Sequence, residues 1–162
     1  MRLALAAALS LVLVMPAIAD QWRYEGGNTP IAWFDNGDAQ FQFACRGGTL
    51  TMGFWVKKPD ARLGTASAIS VAITPDATGS TVRQENGTSF AQDMPMVHLD
   101  GSSVIVRGPV ARQWARIAQD ARETIRVAFV RMKGSGVEAM DANLFGAKGS
   151  KTMIGHVLEK CR

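Results

Sequence analysis

The sequence predicts a mainly β fold with two helices (α+β), either an antiparallel β-sandwich or a curled sheet, with a C-terminal helix. Three observations support this class. Several segments alternate apolar with small or polar residues, two segments have the helical period, and no strand–helix repeat runs along the chain. Alternation is typical of half-buried strands, and antiparallel neighbours can be joined by short turns.

The first nineteen residues have the three parts of a secretory signal. Arg2 supplies the positive start, an apolar run occupies 3–15, and residues 17–19 (Ala-Ile-Ala) match the small-x-small pattern that signal peptidase accepts. The run is shorter than the roughly 20 apolar residues that span a bilayer. We therefore expect a cleavable signal peptide at 1–19 and a single β-rich domain at 20–162.

The charge balance is only mildly basic. The chain has 18 Lys and Arg against 14 Asp and Glu, a net charge of +4, and the predicted signal contributes one of the basic residues. A specific nucleic-acid binder has dense Lys and Arg clusters within a recognisable motif. We therefore expect no specific nucleic acid partner, and no transmembrane segment once the signal is removed.

Residues 39–57 carry the clearest structural pattern. Two alternating runs flank a Gly-Gly dipeptide at 47–48, and glycines suit the positive φ values of a tight hairpin turn. Pairing across this turn brings every apolar residue onto one face of the hairpin. The pairs that this register predicts are Arg46–Thr49, Cys45–Leu50, Phe43–Met52 and Phe41–Phe54.

The other strands follow from the same period of two. Residues 75–101 are rich in Gly, Pro, Asp, Ser and Thr, so we interpret them as loops around a short strand near 81–84. The remaining predicted strands are short edge strands at 20–26 and 30–34, strands at 67–74, 102–107 and 123–132, and a partner at 137–145 joined by a turn at 133–136.

Two segments have the helical period. Pro109 suits the first turn of a helix, and an apolar face then recurs at Val110, Trp114, Ile117 and Ala121. Ser150 is a suitable N-cap for the second helix. The apolar stripe of that helix consists of Met153, Ile154, Val157, Leu158 and Cys161.

The two cysteines predict one disulfide, because paired cysteines are typical of exported chains. Cys45 lies on the apolar face of the hairpin and Cys161 on the stripe of the last helix, so the bond would join these elements. The alternatives are two free thiols or intermolecular pairing through Cys161. Together with His98 and His156, the cysteines lack the close spacing of metal ligands, so we expect no metal and no cofactor.

His98, Asp100 and Ser102 are the one place where residues of a hydrolase set lie close together. A triad needs a base that reaches the nucleophile and a third group that orients the base. The dipeptide at 100–101, Asp-Gly, is more typical of a tight turn before a strand. We therefore assign no catalytic residue, and keep as the alternative a small secreted hydrolase that uses His98 with Asp100 or a serine.

Basic residues outnumber acidic ones between 107 and 133. Such a surface can bind the phosphates of lipid headgroups, lipopolysaccharide or another anionic partner. The other interpretation is a solvated, arginine-rich face. The possible anion-binding surface comprises Arg107, Arg112, Arg116, Arg126 and Arg131.

The chain closes with a strand, a Phe-to-Gly-Ser step and an amphipathic helix that ends on a cysteine. The residues that carry this order are Phe145-x-x-x-Gly149-Ser150, followed by Ile154, Val157, Leu158 and Cys161. Over residues 107–161 this arrangement resembles the invasion-associated locus B family and the periplasmic accessory proteins of type VI secretion clusters. The resemblance implies a periplasmic, β-rich protein without enzymatic activity, and it assigns no functional residues.

These features predict an exported, non-enzymatic binding or interaction protein of a Gram-negative envelope, periplasmic or secreted. Its partner would be an unknown protein or an anionic envelope component. Aromatic anchors are common at interfaces. Exposure of Trp22, Trp33 or Trp55 on a sheet surface would therefore support this function.

Overall fold

A computed structural model describes residues 21–79, 81–82, 87–134 and 136–161. The predicted signal peptide and parts of two predicted segments (83–84 and residue 135) lie outside the described residues. The elements are β1 (Arg23–Glu25), β2 (Ile31–Asp35), β3 (Ala39–Arg46), β4 (Thr49–Val56), a short 3₁₀ helix (Ala61–Leu63), β5 (Ala68–Pro75), β6 (Ser89–Val97), β7 (Ser102–Arg107), α1 (Gly108–Asp120), β8 (Thr124–Lys133), β9 (Gly136–Gly146) and α2 (Ser150–Lys160).

The described strands form one nine-stranded sheet in the order β1-β2-β3-β4-β7-β6-β5-β8-β9. All neighbours in it are antiparallel. The sheet curls so far that β2 approaches β9: the rings of Phe34 and Phe145 lie 5.8 Å apart, and the side chain of Asn36 donates to the Leu144 carbonyl. The predicted curled antiparallel sheet is therefore confirmed.

The hairpin of β3 and β4 has the register that the sequence predicts. Arg46 pairs with Thr49, and each apolar pair from Cys45–Leu50 to Phe41–Phe54 lies opposite as expected. Both strands alternate between buried inner residues and half-buried outer ones. The inner residues enter the main core, and the outer residues form part of a second surface described below.

The main core fills the inside of the curled sheet. α1 covers β4, β5 and β7, and α2 covers β1, β2 and β3. Trp22 belongs to this core, where its ring meets Phe41 edge-on at 5.4 Å and its indole N–H donates to the Gly146 carbonyl. Because Trp22 is 2% exposed, it is not one of the surface aromatic residues that a binding face needs.

The disulfide between Cys45 and Cys161 is confirmed, and it excludes the two alternatives of free thiols and intermolecular pairing. The two Cα atoms lie 5.5 Å apart and both residues are buried. The bond therefore fixes the residue that follows α2 to the inner face of the central hairpin. Among the described residues, no helix is long and apolar enough to cross a membrane.

Both predicted helices are present, with two differences in detail. The buried face of α1 consists mainly of alanines around Trp114, whereas Val110 is exposed. The N-cap of α2 is Gly149 and not Ser150, which is buried as the first helical residue. Gly149 has φ +85°, a left-handed conformation that glycine adopts without the steric cost of a side chain.

The interpretation of 75–101 as loops around a strand near 81–84 is wrong, because β6 runs from Ser89 to Val97 between β5 and β7. Thr81 and Val82 belong to no strand. The β5–β6 pairing shifts register between Ile69 and Val71, as at a β-bulge. Such an irregularity can accommodate Pro95, which lacks the N–H that a regular ladder uses. β2 is also interior and not an edge strand.

Candidate binding site on the outer sheet face

Two partly exposed tryptophans lie on the outer face of the sheet. Trp33 in β2 and Trp55 in β4 point away from the core because their neighbours Phe34 and Phe54 are buried on the inner face. Indole rings that reach the surface supply large, rigid contact areas with a polar N–H, which is why tryptophan is enriched at binding sites. Of the three tryptophans whose exposure would support a binding function, the structure brings Trp33 and Trp55 to the surface.

A depression of about 240 Å³ opens between β3, β4 and β7. A second one of about 250 Å³ lies over β2, and the two share Gln40. We call them together the outer groove. Its outward residues are Glu25, Ile31, Trp33, Gln40, Gln42, Gly53, Trp55, Ser103 and Ile105.

Strand register arranges these residues in two rows across the sheet. The first row is Trp33, Gln42, Gly53 and Ile105, each directly opposite the next. The second row is Asp35, Gln40, Trp55 and Ser103. Neighbouring strands lie about 4.8 Å apart, so the two strand spacings from β2 to β4 separate the tryptophans by about 10 Å across the sheet, and their different rows add an offset along the strands.

Two glutamines in the groove orient each other. The Nε2 of Gln40 donates to the Oε1 of Gln42 over 2.8 Å. Within the described part of the chain, the Oε1 of Gln40 and the Nε2 of Gln42 have no hydrogen-bond partner. The pair therefore presents one carbonyl acceptor and one NH₂ donor group side by side, in positions fixed by β3.

Gly53 forms the floor of the central depression. A Cβ atom there would lie 3.1 Å from both the Cγ and the Nε2 of Gln42, closer than such contacts normally allow. Its φ is not in the left-handed region, so the backbone itself does not require glycine. A glycine inside a strand weakens the strand and marks a place of close approach, and here it lets the Gln42 side chain lie directly against β4.

Both tryptophans have a cation close to one ring. The guanidinium carbon of Arg23 lies 5.3 Å from the ring centroid of Trp33, and Lys57 Nζ lies 5.9 Å from that of Trp55. Lys57 is also paired with Asp35 at 3.0 Å. The indole N–H of Trp55 donates to the Asp100 carbonyl at 3.2 Å, so the position of this ring is well defined.

Of the two contacts that the hydrolase hypothesis names for His98, the structure shows the one with a serine and not the one with Asp100. Its Nδ1 lies 2.9 Å from the Ser102 hydroxyl, and its Nε2 lies 2.8 Å from the Ala66 carbonyl. Since a carbonyl only accepts, Nε2 donates to it, and the Nδ1 of a neutral imidazole then accepts from the hydroxyl. Ser102 is, however, only 1% exposed, and the contacts of His98 do not include Asp100, which lies in a turn with φ +50°.

The five arginines of the possible anion-binding surface lie on different parts of the fold. Arg126 is 1% exposed and donates to backbone carbonyls of the loop after β5. Arg112 donates to the Cys161 carbonyl from α1, on the inner side of the sheet. Arg116 in α1, Arg107 in β7 and Arg131 in β8 are exposed. The structure therefore does not bring Arg126 to the surface with the others.

A third depression, of about 340 Å³, contains carboxylates from Asp38 and Asp141. Burial raises the pKa of Asp141, and the backbone N–H of Asp60 and the side chain of Asn143 oppose this shift. Hydrogen bonds from Arg62 lower the pKa of Asp60 to about 2. Among the described residues, no group of three or more potential ligands could hold a metal ion.

The sequence interpretation missed the polar centre of the outer groove. Gln40, Gln42 and Gly53 occupy outward positions of the predicted hairpin, where alternation alone makes them ordinary solvent-facing residues. The one available signal was a glycine in the middle of a strand whose backbone needs none. Ile105 could not be placed beside Gly53 without knowledge that β7 pairs with β4.

No protein-family model matches this chain, and no curated protein or solved structure matches it. The residues of the site and their geometry are therefore the basis for a functional conclusion.

Proposed function

We propose that this chain is an exported, non-enzymatic binding protein of a bacterial envelope, and that it binds its ligand in the outer groove. The observation that carries the proposal is the pair of partly exposed tryptophans, Trp33 and Trp55, on one face of a rigid sheet. Binding residues on strands are held more accurately than residues on loops.

Three further features support an exported protein of this kind. Residues 1–19 have the composition of a secretory signal. The Cys45–Cys161 disulfide is compatible with an oxidising compartment such as the periplasm. The resemblance of 107–161 to the locus B family and to type VI accessory proteins points to the same compartment and to a protein without enzymatic activity.

Export is tested by expressing the full chain in a Gram-negative host and fractionating the cells. We expect the protein in the periplasmic fraction, with an intact mass and an N-terminal sequence that begin at Asp20. A chain that retains residues 1–19, or that stays in the cytoplasm with reduced cysteines, would contradict the proposed compartment.

Binding is tested by affinity capture from envelope extract on immobilised wild-type protein and on the double variant W33A/W55A. We expect wild type to retain a component that the double variant does not, and titration of that component after purification to confirm direct binding. The control is Met132→Ala, which truncates an exposed apolar side chain on β8, outside the groove. If wild type and W33A/W55A retain the same components, the outer groove is not the binding site.

The second candidate function is the small hydrolase, favoured by the 2.9 Å contact between His98 Nδ1 and the Ser102 hydroxyl. The Ala66 carbonyl would orient the imidazole in the role that a carboxylate usually has. A fluorophosphonate probe tests it: labelling of wild type that is lost in S102A would support a nucleophilic serine. Because Ser102 is 1% exposed, we expect no labelling of the folded protein.

A further inference from the structure

The outer groove displays hydrogen-bonding groups that the protein itself does not use. Besides the Oε1 of Gln40 and the Nε2 of Gln42, the indole N–H of Trp33 has no partner among the described residues. These groups face outward from strands with regular pairing on both sides. An occupant must therefore offer several donors and acceptors close together, next to apolar surface that can lie against indole rings.

A peptide cannot pair with the backbone of β2, β3 or β4 on this face. β2, β3 and β4 each have neighbours on both sides, so their N–H and C=O groups are engaged in the ladder. An extended peptide gains affinity mainly by adding a strand to a free sheet edge, and the edge strand β1 contributes only Glu25 to the groove. Recognition here can come only from side chains and ring stacking.

The charges around the groove disfavour an anionic occupant. The central depression is lined by uncharged residues, and the second one contains Glu25 as its only charged lining residue. Asp35 lies in the same row as Gln40, and its partner Lys57 compensates its charge. At the same end Arg23, directly opposite Trp33, offsets Glu25, so these charges sum to zero. The groove therefore has no excess of positive charge that would attract a carboxylate or phosphate.

The dimensions favour a chain of small rings over a compact ligand. Each depression is smaller than the roughly 300–1,000 Å³ of enclosed ligand pockets. The two adjoin at Gln40, with one tryptophan in each, about 10 Å apart across the sheet. Sequential rings joined in a chain could place one ring in each depression.

From these observations we propose that the outer groove binds a short, uncharged oligosaccharide. The C–H faces of two pyranose rings would lie against Trp33 and Trp55, and the hydroxyls of these rings would donate to Gln40 Oε1 and accept from Gln42 Nε2. Because Gly53 has no side chain, the Gln42 side chain lies against β4, and one ring can approach its amide from the outer side. This inference rests on the proposed function and specifies the ligand class of the same site.

Isothermal titration calorimetry of the exported protein with four tetrasaccharides tests the proposal. Three probes are uncharged, namely cellotetraose, maltotetraose and the N-acetylglucosamine tetramer, and tetragalacturonate is the anionic probe of equal length. We expect at least one uncharged probe to bind, and tetragalacturonate to bind more weakly, because the groove has no net positive charge to offset the desolvation of its carboxylates. Intrinsic tryptophan fluorescence should change in the same titration.

Three variants locate the site. W33A and W55A should each weaken binding by about tenfold or more, and Gly53→Val should abolish it because the new side chain fills the depression. Valine is favoured in strands, so Gly53→Val is expected to fold, as circular dichroism and urea unfolding will show. The matched control is Gln92→Leu on the outer side of β6, which should bind like wild type.

The proposal is overturned if no uncharged probe binds at millimolar concentration, if tetragalacturonate binds as tightly as the best uncharged probe, or if W33A and Gly53→Val bind like wild type. Failure of the saccharide proposal is distinct from failure of the proposed function. If no saccharide binds but W33A/W55A still loses an envelope component in the capture experiment, only the ligand class is wrong. If that capture is also unaffected, both proposals are wrong.

Discussion

Arg126 places a guanidinium between the outer face of the sheet and the loop that follows β5. Its Nη1 donates to the carbonyl oxygens of Gly79 and Thr81, and its Nη2 donates to the Thr74 hydroxyl. Next to it, a small apolar cluster that includes Val82 and Val130 lies on the same outer side. Arg126 therefore stabilises the covering loop through several donors from one side chain, which is a structural role.

Replacement of Arg126 by methionine should destabilise the protein by roughly 2–4 kcal/mol, because the covered carbonyls then lose their donors. The control is Arg131→Met, an exposed position on the same strand that should change stability by less than about 0.5 kcal/mol. The measurement is urea unfolding at neutral pH. Equal stability of the two variants would show that the loop does not depend on Arg126.

Asp141 is a half-buried carboxylate whose pKa is raised, first of all by burial. The folded protein therefore holds this proton to a higher pH than the unfolded chain does, and stability falls as the pH rises through the raised pKa. As the pH rises from the ordinary carboxyl pKa of 3.8 to 7, we expect Asp141→Asn to gain an advantage over wild type of less than about 1 kcal/mol, since solvent screens the exposed part of the group. Asparagine keeps only one of the two acceptor oxygens of Asp141, so the expected result is this change with pH and not the difference at a single pH.

The advantage of Asp141→Asn should disappear below the ordinary carboxyl pKa of 3.8, where wild type is protonated in both states. Urea unfolding across this pH range measures the effect. Asp120→Asn, at an exposed position of α1, removes the same charge and serves as the control. A variant whose advantage does not change with pH would contradict the burial explanation.

At the scale of elements, the turn between β6 and β7 connects two parts of the outer face. Gly101 has φ +129°, and a Cβ atom there would lie 2.3 Å from the Val56 carbonyl oxygen and 2.6 Å from the Trp55 Nε1. The turn is therefore pressed against β4 at the position where Asp100 accepts a hydrogen bond from Trp55. Only glycine fits between the two strands here.

Gly101→Ala should destabilise the protein by about 2 kcal/mol or more, because a strained φ is combined with a clash against backbone. It should also change the near-ultraviolet circular dichroism of Trp55, whose hydrogen bond to Asp100 must move. Gly37→Ala is the control: φ is +99° there and no atom lies within 4 Å of the added Cβ. If both variants lose the same stability, strain alone explains the effect.

How far the elements could be predicted depended on their local patterns. The β3–β4 hairpin was predicted to the residue because alternation and a Gly-Gly turn specify the same register. β6 was not predicted, because Asp93 and Pro95 are typical of loops. In the fold, Asp93 adopts φ +51° and Pro95 pairs with Ala68 within the strand. Its neighbours β5 and β7 override these local preferences.

At the scale of the whole molecule, the outer groove is the feature that the sequence did not predict. Its first row joins four strands, and β4 pairs with β7 across an intervening segment that contains β5 and β6. Local alternation says which face Trp33, Gln42 and Ile105 occupy on their own strands, but not that they are neighbours. The sequence therefore predicted tryptophans as anchors without predicting the site between them.

The disulfide is the main covalent constraint on the whole fold. The chain between Cys45 and Cys161 spans 116 positions, and a cross-link of that length stabilises by about 4–5 kcal/mol in the chain-entropy treatment. We expect the double variant C45A/C161A to lose stability of this order in urea unfolding. Its m-value should increase, because an unfolded chain without the cross-link exposes more surface.

An unchanged m-value with lower stability would assign the loss to packing of the two buried sulfurs and not to the cross-link. Leu158→Ala, which truncates a half-buried side chain of α2 and keeps the disulfide, is the control. That variant should lower stability without changing the m-value.

The same bond also constrains the order in which this chain can mature. Cys45 belongs to a hairpin that can form from local sequence, whereas Cys161 follows the last helix. As the chain emerges from its N-terminus during synthesis, the thiol of Cys45 has no native partner until Cys161 has appeared, so this bond can close only after the last helix has emerged. A chain that ends before Cys161 cannot form the bond and lacks its constraint on the fold.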